Sequence, residues 1–167
     1  MTTIIVDGNK IAGEIFEELR RQAAKLREKN ILPLLKGILV GSHPASLSYI
    51  KTKRHTAESV GIIVEINEYP ESIAEEDLRH EIEVFNQAAT IDGILVQLPL
   101  PQSLDRSAVL DSVAPHLDVD CLTEANKQKL ARGEEPAFYP PAPAAILHIL
   151  DHHKVDLKSV NVLLVGS

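Results

Sequence analysis

The chain is poor in the residues that build several common kinds of site. It has one cysteine, one methionine, no tryptophan, three tyrosines and three phenylalanines in 167 residues. A single cysteine, Cys121, excludes an internal disulfide and any cysteine-based zinc cluster. No partner base is marked for it, so Cys121 reads as a small buried hydrophobe rather than a nucleophile. An excess of positive charge is also missing. The formal net charge of -7 argues against affinity for phosphate backbones, and nucleic acid is not an expected partner. No apolar run approaches the length of a membrane span, so no membrane association is expected. The first ten residues, MTTIIVDGNK, have no basic stretch leading into an apolar signal core, which points to a cytoplasmic protein. With 44% apolar and 25% charged residues, the composition is that of a globular chain.

The order of patterns along the chain points to an α/β fold. Ile11, Ile15, Leu19, Ala23 and Leu26 recur at helical spacing in a long amphipathic segment whose cations fall late, where the helix dipole favours them. ILPLLKGILVG then reads as a buried strand with Pro33 confined to its start. SLSYIKTKRHTAESVGI reads as a helix and GIIVEINEYP as a second strand. SIAEEDLRHEIEVFNQAA follows as a helix with its start signal at Ser72, and IDGILVQLPLP as a third strand. Strand, helix, strand, helix, strand is the signature of a parallel sheet with helices on both faces, which collects ligands beyond the carboxyl ends of its strands. After Pro101 the pattern predicts one short helix and then proline-rich turns. AAILHILDHHK is a further helix candidate and VNVLLVGS a final strand. His148 and His152 are four apart, but HILDH lacks the glutamate of a zinc-protease helix, and no metal is expected.

Tyr49 and Lys53, also four apart, share a helix face, with Ser46 one turn earlier. That face borders the expected cleft, and a lysine held in a partly dry cleft is suited to proton transfer. Spacing alone favours a plainer reading, with Lys51, Lys53 and Arg54 all solvated. Gln97 adds weight to the chemical reading, because an amide in the apolar run GILVQLPLP is costly without a partner. It is a candidate for orienting a substrate or the lysine amine. Asp120, in LDVDC, is equally a turn or cap carboxylate and a third polar group of the cleft.

VGSHPASLSYIKTKRHTAESVGI, DGILVQLPLP and HLDVD together resemble three motifs of the bifunctional methylenetetrahydrofolate dehydrogenase/methenyltetrahydrofolate cyclohydrolase family, in that family's order and spacing. The resemblance implies a folate-binding catalytic domain over residues 1–121. This would be a three-layer α/β/α domain with a mainly parallel sheet, followed over 122–167 by a connecting segment and the truncated start of an NADP-binding Rossmann domain. It implies Lys53 as general acid/base, Tyr49 against the aminobenzoyl part of the folate, Gln97 supporting the lysine, and Asp120 on the pterin ring. The implied chemistry is NADP-dependent oxidation of methylenetetrahydrofolate, then hydrolysis of the methenyl product to formyltetrahydrofolate. Tetrahydrofolate derivatives are thus the expected partners. The implied full-length assembly is a homodimer, with this chain expected to be monomeric.

Three departures from the family pattern stand out. Cys121 and Gln128 occupy positions where glycine is usual, and PPAPAA replaces a Pro-Cys-Thr-Pro-x-Gly element, with Pro141, Ala142 and Ala145 at the altered places. Gly166 and Ser167 correspond to the first residues of an incomplete phosphate turn, so the chain by itself is not expected to bind NADP. The rival reading is a non-catalytic folate-binding or regulatory module.

Overall fold

The computed structural model describes residues 5–136, 138–163 and 165. Helix α1 (Gly8–Glu28) begins where the Asp7 side chain accepts from the Lys10 N–H at 3.1 Å, and Lys25 and Arg27 lie in its last turn. Strand β1 (Leu34–Val40) leads into α2 (Pro44–Ser59), β2 (Ile63–Tyr69), α3 (Glu75–Gln87) and β3 (Gly93–Val96). Helices α4 (Arg106–Asp111), α5 (Glu124–Ala131) and α6 (Pro141–His152) complete the described elements.

The three strands form one parallel sheet in the order β2-β1-β3. Side-chain alternation along β1 and β3 divides the core into two layers. Ile38, Val40, Ile94 and Val96 pack with Leu78, Ile82 and Phe85 of α3 and with Val109 and Leu110 of α4. On the other face, Leu39 and Leu95 pack with Ile50 of α2. The fold is therefore α/β with helices on both faces of a small parallel sheet, as the element order predicts. β1 and β2 lie where the patterns place them. No helix among the described residues is long and apolar enough to cross a membrane.

Four local expectations fail. Ser72 does not start α3: the N-cap is Ala74, with no side-chain cap, and the favourable charge comes from Glu75, Glu76 and Asp77 in the first turn. Gln97 lies just past β3, which ends at Val96, rather than inside it, and the Leu98–Pro99 bond that follows is cis. The supposed turns after Asp120 contain α5, started by Thr123, whose side chain accepts from the Asn126 N–H. Finally, Val160–Leu163 form no strand. Among the described residues no neighbouring strand pairs with them, and Val162 and Leu163 are exposed.

Gly93 matters for where the site forms. A Cβ there would lie 2.5 Å from Val119 Cγ1, so only glycine lets the 117–119 segment lie this close to β3. Ile94 donates to the Leu117 carbonyl at 2.7 Å and bridges to Asp118. These contacts bring Asp120 to the carboxyl end of the sheet.

At the edge of the sheet, the Tyr69 hydroxyl donates to Glu81 Oε2 at 3.2 Å. Burial, and then the negative charge of Glu81, push this hydroxyl up to about 12. Because its folded value lies above the unfolded value near 10, the stability it contributes is complete below pH 10 and is lost as pH rises from 10 to 12. Chemical-denaturation midpoints should fall more steeply over that window for the parent than for Tyr69→Phe. Equal slopes would contradict it.

Candidate functional site

The cleft at the carboxyl ends of β1 and β3 is built by α2 on one side and by the 118–122 loop and α6 on the other. Its volume is about 380 Å³, and Tyr49, Lys53, Gln97, Leu98, Asp120 and Leu122 line it together with Pro140–Pro143. The four residues singled out in the sequence thus converge on one cavity. Side chains on a helix lean toward its N-terminus, so Lys53 reaches back along α2 over Tyr49. Its ammonium lies 5.0 Å from the centre of the Tyr49 ring and donates to Asp120 Oδ2 at 3.1 Å. Tyr49 is 55% exposed, so its ring faces the cleft opening rather than the core. Lys51 is exposed, and Arg54 is exposed beside Glu58 at 3.8 Å.

Gln97 is placed differently from the expectation that it supports the lysine. It follows Gly93 and Leu95 on the α2 face of β3, and it is buried. Its Nε2 donates to the Leu98 carbonyl at 2.6 Å, and its Oε1 has no hydrogen-bond partner among the described residues. In this arrangement Lys53 bonds to Asp120. Ser46, in the first turn of α2, is likewise buried with its Oγ unpartnered among the described residues.

Asp118 organises the far wall, and the sequence reading missed it. It is buried, with Oδ1 accepting from the Leu122 N–H at 2.9 Å. Its Oδ2 accepts from the Thr123 N–H (2.9 Å), the Thr123 hydroxyl (2.8 Å) and Asn126 Nδ2 (2.9 Å). The available signal was the Asp followed five residues later by a helix-capping threonine. Asp118 shapes the loop, and Asp120, two residues on, is left facing the cleft.

The departures at the glycine positions differ in consequence. Gln128 sits within α5 and donates to Glu124 Oε1 at 3.1 Å, so this position needs no positive φ. Cys121 is buried with φ of +56°, a conformation in which glycine is unstrained. Burial and the nearby charge of Asp118 push its thiol up, which keeps it protonated and unreactive. A β-branched residue is poorly tolerated there, so Cys121→Val should cost roughly 1–3 kcal/mol. Relief of strain should offset the lost packing in Cys121→Gly, whose urea midpoint should stay close to the parent's. A Val variant as stable as the Gly variant would contradict this.

Two wider clefts converge less chemistry. One of about 570 Å³ lies between α1 and the end of α2, where Arg20 is already bonded to Glu17 and to the Ser59 carbonyl. Another, of about 490 Å³, lies between Gly41–His43 and Pro99–Gln102 and holds neither the lysine nor the aspartate. Gly166 and Ser167 lie outside the described residues.

Residues 6–120 match the tetrahydrofolate dehydrogenase/cyclohydrolase catalytic domain. The chain belongs to that family. The bifunctional protein FolD of a Wolbachia from Drosophila simulans is 41% identical over 165 residues, covering 98% of this chain and 56% of that protein. Among solved structures, the bifunctional FolD methylenetetrahydrofolate dehydrogenase/cyclohydrolase of Campylobacter jejuni superposes with a TM-score of 0.88 at 34% identity, covering 90% of this chain and 54% of the other. The Trypanosoma brucei dehydrogenase-cyclohydrolase, solved with NADP and an inhibitor, gives 0.84 at 32% identity, covering 93% and 54%. This member of the family spans about half the length of the relatives it matches.

Proposed function

We propose that the chain carries the folate site and the proton-transfer lysine of a methylenetetrahydrofolate dehydrogenase/cyclohydrolase. The observation that carries this is the convergence of Tyr49, Lys53, Gln97 and Asp120 on one cleft. In this reading the exposed face of Tyr49 stacks on the aminobenzoyl ring of the folate. Asp120 accepts hydrogen bonds from the pterin, and the apolar Leu98, Leu122 and Pro140–Pro143 exclude water from the ligand's flanks. In hydrolysis, water adds to the methenyl bridge carbon and one carbon–nitrogen bond breaks. As the neutral amine, Lys53 takes up one proton of the attacking water and the ammonium so formed returns it to the departing nitrogen, while the proton of the resulting hydroxyl is released to solvent as the formyl carbonyl forms.

For the oxidation, a nicotinamide dinucleotide supplies the hydride acceptor when bound. The strand-to-helix turns among the described residues do not fit its pyrophosphate: the turn after β1 has Gly41 alone, and those after β2 and β3 have no glycine. No step of the proposed hydrolysis passes through that group.

Calorimetric titration with 5-formyltetrahydrofolate tests the site. Saturable binding is expected, and Tyr49→Ala should weaken it about tenfold, which corresponds to about 1.4 kcal/mol of lost contact. Binding that Tyr49→Ala leaves untouched would show that the site is elsewhere. Binding without methenyl hydrolysis would support a non-catalytic folate-binding module.

A further inference from the structure

We infer that the backbone N–H of Ala142, at the N-terminus of α6, is the donor that receives the oxygen of the ligand's one-carbon unit. This donor rests on the folate reading above and adds a hydrogen-bonding position on the wall across from α2. The first residues of α6, Pro141, Ala142 and Pro143, line the cleft together with the N-cap Pro140. The first N–H groups of a helix have no partner within it. Proline carries none, so Ala142 holds the one N–H among these four lining residues. Ala144 already donates to the Pro140 carbonyl at 3.0 Å, and no side chain caps the helix. Among the described residues the Ala142 N–H has no hydrogen-bond acceptor.

Gln97, at the end of β3, shows independently that a polar ligand completes this cavity. It is 7% exposed and borders the cleft, and its Oε1 has no partner among the described residues. A folded protein rarely leaves a buried acceptor unpaired. Gln97 Oε1 and the Asp120 carboxylate both accept hydrogen bonds, so they suit the donors of a ligand. An oxygen of the ligand needs a donor instead, and in the hydrolysis above Lys53 works as the neutral amine with its electron pair toward the water. On the α6 wall the Ala142 N–H supplies one. The 12 residues of α6 add their dipole, equivalent to about half a positive charge at this end. The methenyl substrate is a cation that loses its charge as water adds, whereas the oxygen gains electron density as the formyl carbonyl forms. The helix end therefore favours the adduct over the bound substrate, the kind of differential contact that speeds a reaction.

Titration of the ¹⁵N-labelled chain with 5-formyltetrahydrofolate should move the Ala142 amide proton downfield, as a new hydrogen bond to it requires. Tetrahydrofolate has the same rings and no one-carbon oxygen, and it should leave that proton in place. Ala142→Pro deletes the N–H in a first turn that tolerates proline. By calorimetry it should lower the ratio of 5-formyltetrahydrofolate affinity to tetrahydrofolate affinity roughly five- to tenfold. If that variant does not fold, the amide proton of the parent decides. An Ala142 proton that both ligands move alike, or that neither moves while Tyr49→Ala weakens binding, would overturn the Ala142 donor and leave the folate reading standing. So would a folded Ala142→Pro variant with the parent's affinity ratio. If neither ligand binds, the folate reading fails and the Ala142 donor with it.

Discussion

Lys53→Met should lower the rate of methenyltetrahydrofolate hydrolysis by roughly 100- to 10,000-fold, the usual contribution of a positioned general acid/base. Methionine keeps the length and apolar stem of lysine and removes the proton-carrying head. The fold should survive, because the Lys53 side chain is partly exposed and its contact with Asp120 is a single part-solvated ion pair. Such a pair contributes at most about 1 kcal/mol, so the urea midpoint should move little. Affinity for 5-formyltetrahydrofolate should be largely retained, since Tyr49 and Asp120 remain. Hydrolysis within a few-fold of the parent would remove Lys53 from the chemistry.

The second large effect is structural. Asp118→Ala should destabilise the chain by about 3–5 kcal/mol, because one buried carboxylate accepts from Leu122, from both donors of Thr123 and from Asn126. Each buried donor left unpaired costs about 1–3 kcal/mol, and they share one loop that can relax only in part. Asn126 keeps its bond to the Pro115 carbonyl at 2.8 Å, which limits the loss. The same substitution should weaken folate binding, because the loop that presents Asp120 loses its anchor. Urea denaturation followed by circular dichroism measures the first effect and calorimetry the second. A loss of stability below about 1 kcal/mol would show that the Asp118 network is dispensable.

The sequence makes the sheet and the near wall of the cleft legible, because both rest on short-range periodicity. β1 and β2 are apolar or alternating runs bounded by turn residues. Tyr49 and Lys53 declare their shared face through a spacing of four, and Gln97 declares itself as an amide in an apolar run. The far wall was less legible. Asp118 and Asp120 are two apart and chemically identical, and only the Thr123 cap and the close approach at Gly93 decide which one is buried and which faces the cleft. The expected Lys53–Gln97 contact was one of two roles that an amide in an apolar run leaves open, and the family resemblance singled it out. Periodicity carries no information about which of two acceptors a flexible ammonium chooses, and in this structure it chooses Asp120. Val160–Leu163 has the composition of a strand, but a strand forms only where a neighbour supplies its hydrogen bonds.

The most direct test of the central claim is to locate the folate on the molecule. Backbone amide shifts of the ¹⁵N-labelled chain, followed during titration with 5-formyltetrahydrofolate, report which residues the ligand reaches. The expected result is that the perturbed amides cluster at Tyr49, Lys53, Gln97, Leu98, Asp120 and Leu122, while those of Arg20, Ala23 and Ser59 in the wider cleft between α1 and α2 stay fixed. Perturbation centred on that wider cleft, or on His43 and Gln102, with the Lys53 cleft unmoved, would contradict it.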